Sequence, residues 1–167
     1  MTRTALCAAL VGLLCTAIPA TAQVLLGRVV GVSDGDTLTV LDSTKMPHRV
    51  RLSGIDAPEK GQPFGERSKE NLSRLAFGKD ARAECREQDR YGRQVCRVSV
   101  AGQDVAVAQL ESGLAWWFRR YASEQPPQER TLYEAIETRA SIDRVGLWRD
   151  PDPVPPWEWR KRLREQE

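Results

Sequence analysis

Five stretches between Val24 and Val100 read as strand, most of them by an alternation of apolar and polar residues with a period of two. Val24 to Val32 is an apolar, β-branched run that predicts a first strand. Ser33-Asp34-Gly35-Asp36 follows as a turn, because Asp-Gly tolerates the positive φ of tight hairpins. Thr37 to Leu41 alternates as a second strand, and Asp42 to Pro47 reads as a loop with His48 exposed beside it. From His48 to Ile55 the alternation returns, with Val50 and Leu52 facing one way and Arg51 and Ser53 the other. Pro58 fixes its own φ and pushes Ala57 out of the helical region, so the chain turns there and carries Asp56 and Glu59 beyond the strand end.

The period then lengthens. Phe64, Ser68, Leu72, Leu75 and Ala76 recur at three and four residues, predicting an amphipathic helix over 62–77 that Gly78 stops. Lys79 to Glu87 and Gln94 to Val100 read as two more strands flanking a turn at Asp89-Arg90-Tyr91-Gly92-Arg93. Asp104 caps a short helix closed by Gly113, and Pro126 to Val145 forms a longer one ended by Gly146. Five short strands and three helices in about 125 residues predict an α+β, mainly β fold, a small barrel with helices packed around it. Asp150 to Glu167 holds four prolines and then mixed charge, and reads as a loosely packed extension.

The N-terminus has a different character. Arg3 precedes an apolar run from Ala5 to Ile18, and the small residues Ala20 and Ala22 fit a cleavage site before Gln23. Residues 1–22 therefore read as a secretory signal peptide, with 23–149 as the folded domain and 150–167 as the extension. The apolar run is short of the roughly 20 residues a membrane-spanning helix needs, so a periplasmic or secreted protein without stable membrane association is expected. Without Arg3 the 25 basic residues become 24, against 23 acidic ones. That near-neutrality excludes a histone-like polycation and leaves any nucleic-acid contact to a local cationic site. Cys7 and Cys15 leave with the signal. Cys85 and Cys96 remain, in strands read as adjacent, and in an exported chain they suggest one disulfide, with two buried thiols as the alternative.

The candidate chemistry lies at strand ends. Asp36 precedes the second strand and Asp56 follows the third, so antiparallel pairing brings both carboxylates to one end of the sheet. Oxygen-only ligands with room for water suit Ca²⁺ or Mg²⁺, and a backbone carbonyl in the Ala57 turn adds another. Arg51 and Arg93 supply guanidinium forks suited to phosphate, and Glu59 is placed to orient and deprotonate a water. In Trp116-Trp117-Phe118-Arg119-Arg120-Tyr121, Arg119 and Tyr121 are candidates to face a nucleic acid, while Trp116 and Phe118 serve equally well as packing.

Three ordered motifs carry a resemblance: Asp34-Gly35-Asp36-Thr37, Arg51 to Glu59, and Asp89-Arg90-Tyr91-Gly92-Arg93. Over residues 26–149 the chain resembles the staphylococcal nuclease (thermonuclease) family. The resemblance implies a five-stranded OB-type barrel with three helices, and Ca²⁺-dependent hydrolysis of DNA and RNA to 3′-phosphate ends. It implies one Ca²⁺ on Asp36, Asp56 and the Ala57 carbonyl, with Arg51 and Arg93 clamping phosphate, Glu59 as base, and Tyr91 touching the nucleotide's phosphate. A monomer acting on DNA and RNA, single strands favoured, is expected. Ala57 stands where the family's type member has threonine, and the 60–65 loop is shorter. The rival reading is a noncatalytic OB-type module that binds nucleic acid or protein. A pure binder, however, has no use for Asp36, Asp56 and Glu59 facing a phosphate.

Overall fold

The computed structural model describes residues 23–166, so the expected leader lies outside the described residues. Strand β1 (Gln23–Val32) pairs antiparallel with β2 (Thr37–Asp42) on one side and β5 (Asp80–Gln88) on the other. Strand β2 pairs with β3 (Pro47–Leu52), and β5 with β6 (Gln94–Val100). The sheet closes where β3 and β6 run parallel, Val50 to Leu52 beside Gln94 to Cys96. Closure leaves none of the five principal strands as an open edge and encloses Val29, Leu38, Val40, Val50, Leu52 and Val98, all fully buried. The predicted five-stranded OB-type barrel is the observed one.

The helices α1 (Gly65–Ala76), α2 (Val105–Glu111) and α3 (Pro127–Ile142) lie where the periodicity put them, within three residues at each end. Asp104 caps α2 as expected, its carboxylate accepting from the Ala106 and Val107 N–H groups. His48 is not the exposed loop residue expected: it lies in β3, is half-buried, and pairs with Asp42 at 2.8 Å.

Two further features depart from the sequence pattern. The third strand stops at Leu52, because Gly54 takes φ +74° and the chain reverses into a two-residue strand, β4 (Ile55–Asp56), paired with β7 (Trp116–Trp117). A side chain at Gly54 is disfavoured by the left-handed φ and by crowding, since a Cβ there falls 2.9 Å from the buried Tyr133 ring as well as against Gln125. The segment after Arg149 is not loosely packed. It ends in a fourth helix, α4 (Pro156–Arg164), whose prolines sit at its start, where a missing N–H costs nothing. Trp157 stacks on Phe118 at 5.5 Å and meets Trp116 edge-on at 5.8 Å, while the Val154 carbonyl accepts from Gln62 Nε2 at 2.7 Å. The aromatic stretch thus serves as the seat for α4.

Cys85 and Cys96 are disulfide-bonded across β5 and β6, where they are direct partners in the ladder. Replacing both by serine is expected to lower unfolding free energy by about 2–3 kcal/mol, as for a short cross-linked loop, and to abolish the effect of reductant on the urea midpoint. A double variant as stable as the oxidised parent contradicts this.

Candidate active site

The hairpin between β1 and β2 is shaped to deliver Asp36. Asp34 Oδ1 accepts from the Asp36 N–H at 3.1 Å, an Asx turn that fixes the loop. Gly35 is required for approach: a Cβ there falls 1.9 Å from Ser68 Oγ and 2.7 Å from the Ala57 Cβ. Beneath the loop, the fully buried Gln109 on α2 donates to the Gly35 carbonyl at 2.6 Å and to the Ser68 carbonyl at 3.0 Å. Asn71 in turn donates to Gln109 Oε1. Gln109→Leu leaves the Gly35 carbonyl without its donor and Asn71 without its acceptor on Gln109, and is expected to cost about 1–3 kcal/mol in thermal or urea unfolding. An unchanged midpoint would show the loop to be held otherwise.

The Ser53-Gly54 reversal brings Asp56 back beside Asp36. Arg51, reaching from β3, donates to Asp36 Oδ1 at 2.7 Å, to Asp56 Oδ1 at 2.9 Å and to the Ile55 carbonyl at 3.2 Å. The Ala57 N–H donates to Asp36 Oδ2 at 3.0 Å. The β5–β6 turn supplies Arg93, which Asp89 aims by accepting from both its backbone N–H and its Nε, and Arg93 Nη1 donates to Thr37 Oγ1 at 3.1 Å. Thr37 Oγ1 donates on to Asp36 Oδ1 at 3.0 Å. Glu59 stands on the turn after Pro58, its N–H bonded to Gln62 Oε1 and its side chain 38% exposed. The residues of all three sequence motifs therefore form one hydrogen-bonded network.

One member of that network has no signal in the sequence pattern. Arg160, on α4, donates from Nη2 to Asp56 Oδ2 at 2.7 Å, and from Nη1 to Asp56 Oδ1 at 3.2 Å and Glu59 Oε1 at 2.5 Å. It thereby links Asp56 to Glu59 from a helix about a hundred residues downstream. Its spacing of three from Trp157 puts both on one helix face, the one hint available once α4 is known.

The remaining candidates are peripheral. Tyr91 is exposed, with Arg90 and Arg93 over its ring. Tyr121 is exposed beside Phe118. Arg119 donates to Glu137 Oε2 at 2.6 Å and lies over the Trp117 ring, so its guanidinium already has a structural partner.

The electrostatics are those of a crowded acidic site. Burial and the neighbouring Asp36 push the Asp34 carboxyl up to about 6. Burial also raises Asp56, against the pull of Arg160 and Arg51. For Arg51, burial opposes the charge, but Asp36 and Asp56 outweigh it and hold its pKa above the ordinary value. Asp34, Asp36, Asp56 and Glu59 thus share two cations, Arg51 and Arg160, since Arg93 is paired with Asp89. An excess of converging carboxylate oxygens with no sulfur or imidazole fits a hard divalent cation. Among the described residues no three His, Cys, Asp or Glu side chains form a ready cage, so such an ion would take two carboxylates and complete its shell from backbone and water.

A family model described as "Staphylococcal nuclease homologue" matches residues 49–150. The chain is 37% identical over 135 residues to an uncharacterized endonuclease of Haemophilus influenzae, covering 81% of this chain and 72% of that protein. It is 40% identical over 163 residues to the Escherichia coli protein ParB (92% and 89% covered), and 38% identical over 144 residues to a micrococcal nuclease of Shigella flexneri (81% and 80%). With the barrel, the three motifs in one network and the family match in agreement, this chain belongs to the staphylococcal nuclease family.

Proposed function

We propose that the protein is an exported, metal-dependent nuclease that hydrolyses DNA and RNA and leaves 3′-phosphate ends. The observation that carries this is the convergence of Asp36, Asp56 and Glu59 with Arg51 and Arg93 at one end of a closed barrel, in a member of a nuclease family. A Ca²⁺ ion held by Asp36, Asp56 and the Ala57 carbonyl would supply Lewis-acid neutralisation of phosphate charge. Arg51 and Arg93 supply further charge complementarity as the phosphorus becomes five-coordinate, each already aimed by a carboxylate, Asp36 and Asp56 for the first and Asp89 for the second. Glu59, its side chain 38% exposed, accepts a proton from the attacking water. The bond from phosphorus to the 5′ oxygen breaks, the departing oxygen takes a proton from solvent water to become a hydroxyl, and the phosphate stays on the 3′ side. Exposed Tyr91 and Tyr121 offer contact surfaces for nucleotides, with single strands favoured and a monomer sufficient.

Export is supported by the leader-like residues 1–22 and by the Cys85–Cys96 disulfide, a bond that persists in oxidising compartments. Among the described residues no helix is long and apolar enough to cross a membrane. The test is degradation of single-stranded DNA and RNA by the chain from Gln23 onward with Ca²⁺, with Mg²⁺ and with chelator, followed by end analysis. Calcium-dependent cleavage to 3′-phosphates is expected. Retained binding without cleavage under every condition would make the protein a noncatalytic OB-type module.

A further inference from the structure

The α4 helix ends a strap that wraps the turn carrying Glu59. Prolines 153, 155 and 156 limit the conformations open to the strap, the Val154 carbonyl is bonded to Gln62 at the base of that turn, and Trp157 lies on Phe118 and Trp116. Trp159 lines a cavity of about 50 Å³ with Pro58, Gln62, Pro63 and Phe64, against the same turn. These contacts fix where Arg160 points. Its guanidinium takes both oxygens of Asp56, a residue with no exposed surface, and one oxygen of Glu59.

That leaves three of the about four lone-pair positions of Asp56 taken. Oδ1 accepts from Arg51 and Arg160, and Oδ2 from Arg160. A divalent cation brought to Asp56 meets two positive guanidiniums already seated there, so its binding favours the withdrawal of one. Arg51 is the poorer candidate to leave: it sits on a barrel strand, its side chain is 16% exposed, and it bridges both aspartates. Arg160 sits on the last helix described, is 34% exposed, and belongs to a segment attached through a few aromatic and hydrogen-bond contacts.

We infer that α4 is an active-site strap whose Arg160 holds Asp56, one of the proposed metal carboxylates, together with Glu59, so that metal binding and the seated strap oppose one another. This rests on the metal site proposed above. In the seated state the positive charge of Arg160 stands in for the ion and holds the fold of the acidic site together. Metal binding displaces the guanidinium, frees Glu59 Oε1 from its partner, and opens the path that α4 covers. Arg160 is thus a residue that sets metal affinity and the availability of Glu59 through its contacts with them.

The test compares calcium affinity, by titration calorimetry, of the parent chain from Gln23 with Arg160→Gln and with Trp157→Ala. The second variant keeps every charge and loosens only the seat of α4. Both are expected to bind calcium about tenfold tighter or more, because the binding-competent fraction of the parent is reduced by the seated strap. Hydrogen exchange along 156–164 in the parent is expected to accelerate when calcium is added. Equal or weaker binding by both variants, with the parent still binding, overturns the strap and leaves the nuclease reading standing. A loss of turnover in Arg160→Gln at unchanged calcium affinity likewise overturns it, assigning Arg160 to the substrate. No calcium binding by any of the three proteins, at concentrations that support cleavage, overturns the metal assignment and the competition with it.

Discussion

Glu59→Gln is expected to lower turnover on single-stranded DNA by about 10²–10⁴-fold while leaving the thermal midpoint within a degree or two of the parent. The side chain is 38% exposed and its single bond is to Arg160, so little of the fold depends on its charge. Glutamine keeps the shape and an oxygen that can still accept from Arg160, but it cannot take a proton from water. Glu59→Ser, which removes the oxygen as well, separates the two roles. A similar loss in both variants assigns the defect to proton acceptance. Retention of near-parental turnover by glutamine, with loss only in serine, would show that the contact with Arg160 was what mattered. Turnover should be measured at saturating substrate, because a change confined to KM would point to phosphate binding.

The largest effect on stability is expected from Arg51→Met in the presence of chelator. Methionine preserves the apolar stem of the arginine but removes the cation that bridges Asp36, 4% exposed, and Asp56, fully buried. Two carboxylates would then face each other beside Asp34, whose own carboxyl is already raised to about 6 by burial and by Asp36. Breaking a buried pair in this way costs about 3–5 kcal/mol, and the thermal midpoint should fall by roughly 10 °C or more. Adding calcium should return part of that loss, since a divalent cation neutralises the same oxygens. Activity should be lost in the variant with or without calcium. A variant that melts with the parent in chelator would mean that the aspartates find another counter-ion, with Arg160 the nearest candidate.

Some of the site could be read along the chain because its determinants are local. Asp34-Gly35 announces a hairpin, the alternation around Val50 and Leu52 announces a strand, and Asp89 with Gly92 announces the turn that aims Arg93. Antiparallel pairing then brings Asp36 and Asp56 to the same end of the sheet, since Thr37 lies opposite Arg51. Neither Gln109 nor Arg160 carries any such mark. Gln109 acts on Gly35 across 74 positions of sequence, and Arg160 on Asp56 across 104. The extension after Arg149 misleads for a definite reason: prolines and charges are what a disordered tail contains, yet the same prolines start a helix and its tryptophans dock on an aromatic seat formed elsewhere.

Periodicity, turn residues and motif spacing act over a few positions, and they were enough to place the five barrel strands, the first three helices, the family motifs, the carboxylates and two of the arginines. Which charges meet was set by the folded chain. Closure of the barrel through β3 and β6 put β3, which carries Arg51, beside the strand that Arg93 leads into, and the docking of α4 set Arg160 against Asp56 and Glu59. Charge pairing depends on distances of a few ångströms between side chains, and those distances are fixed by packing between elements far apart in the chain.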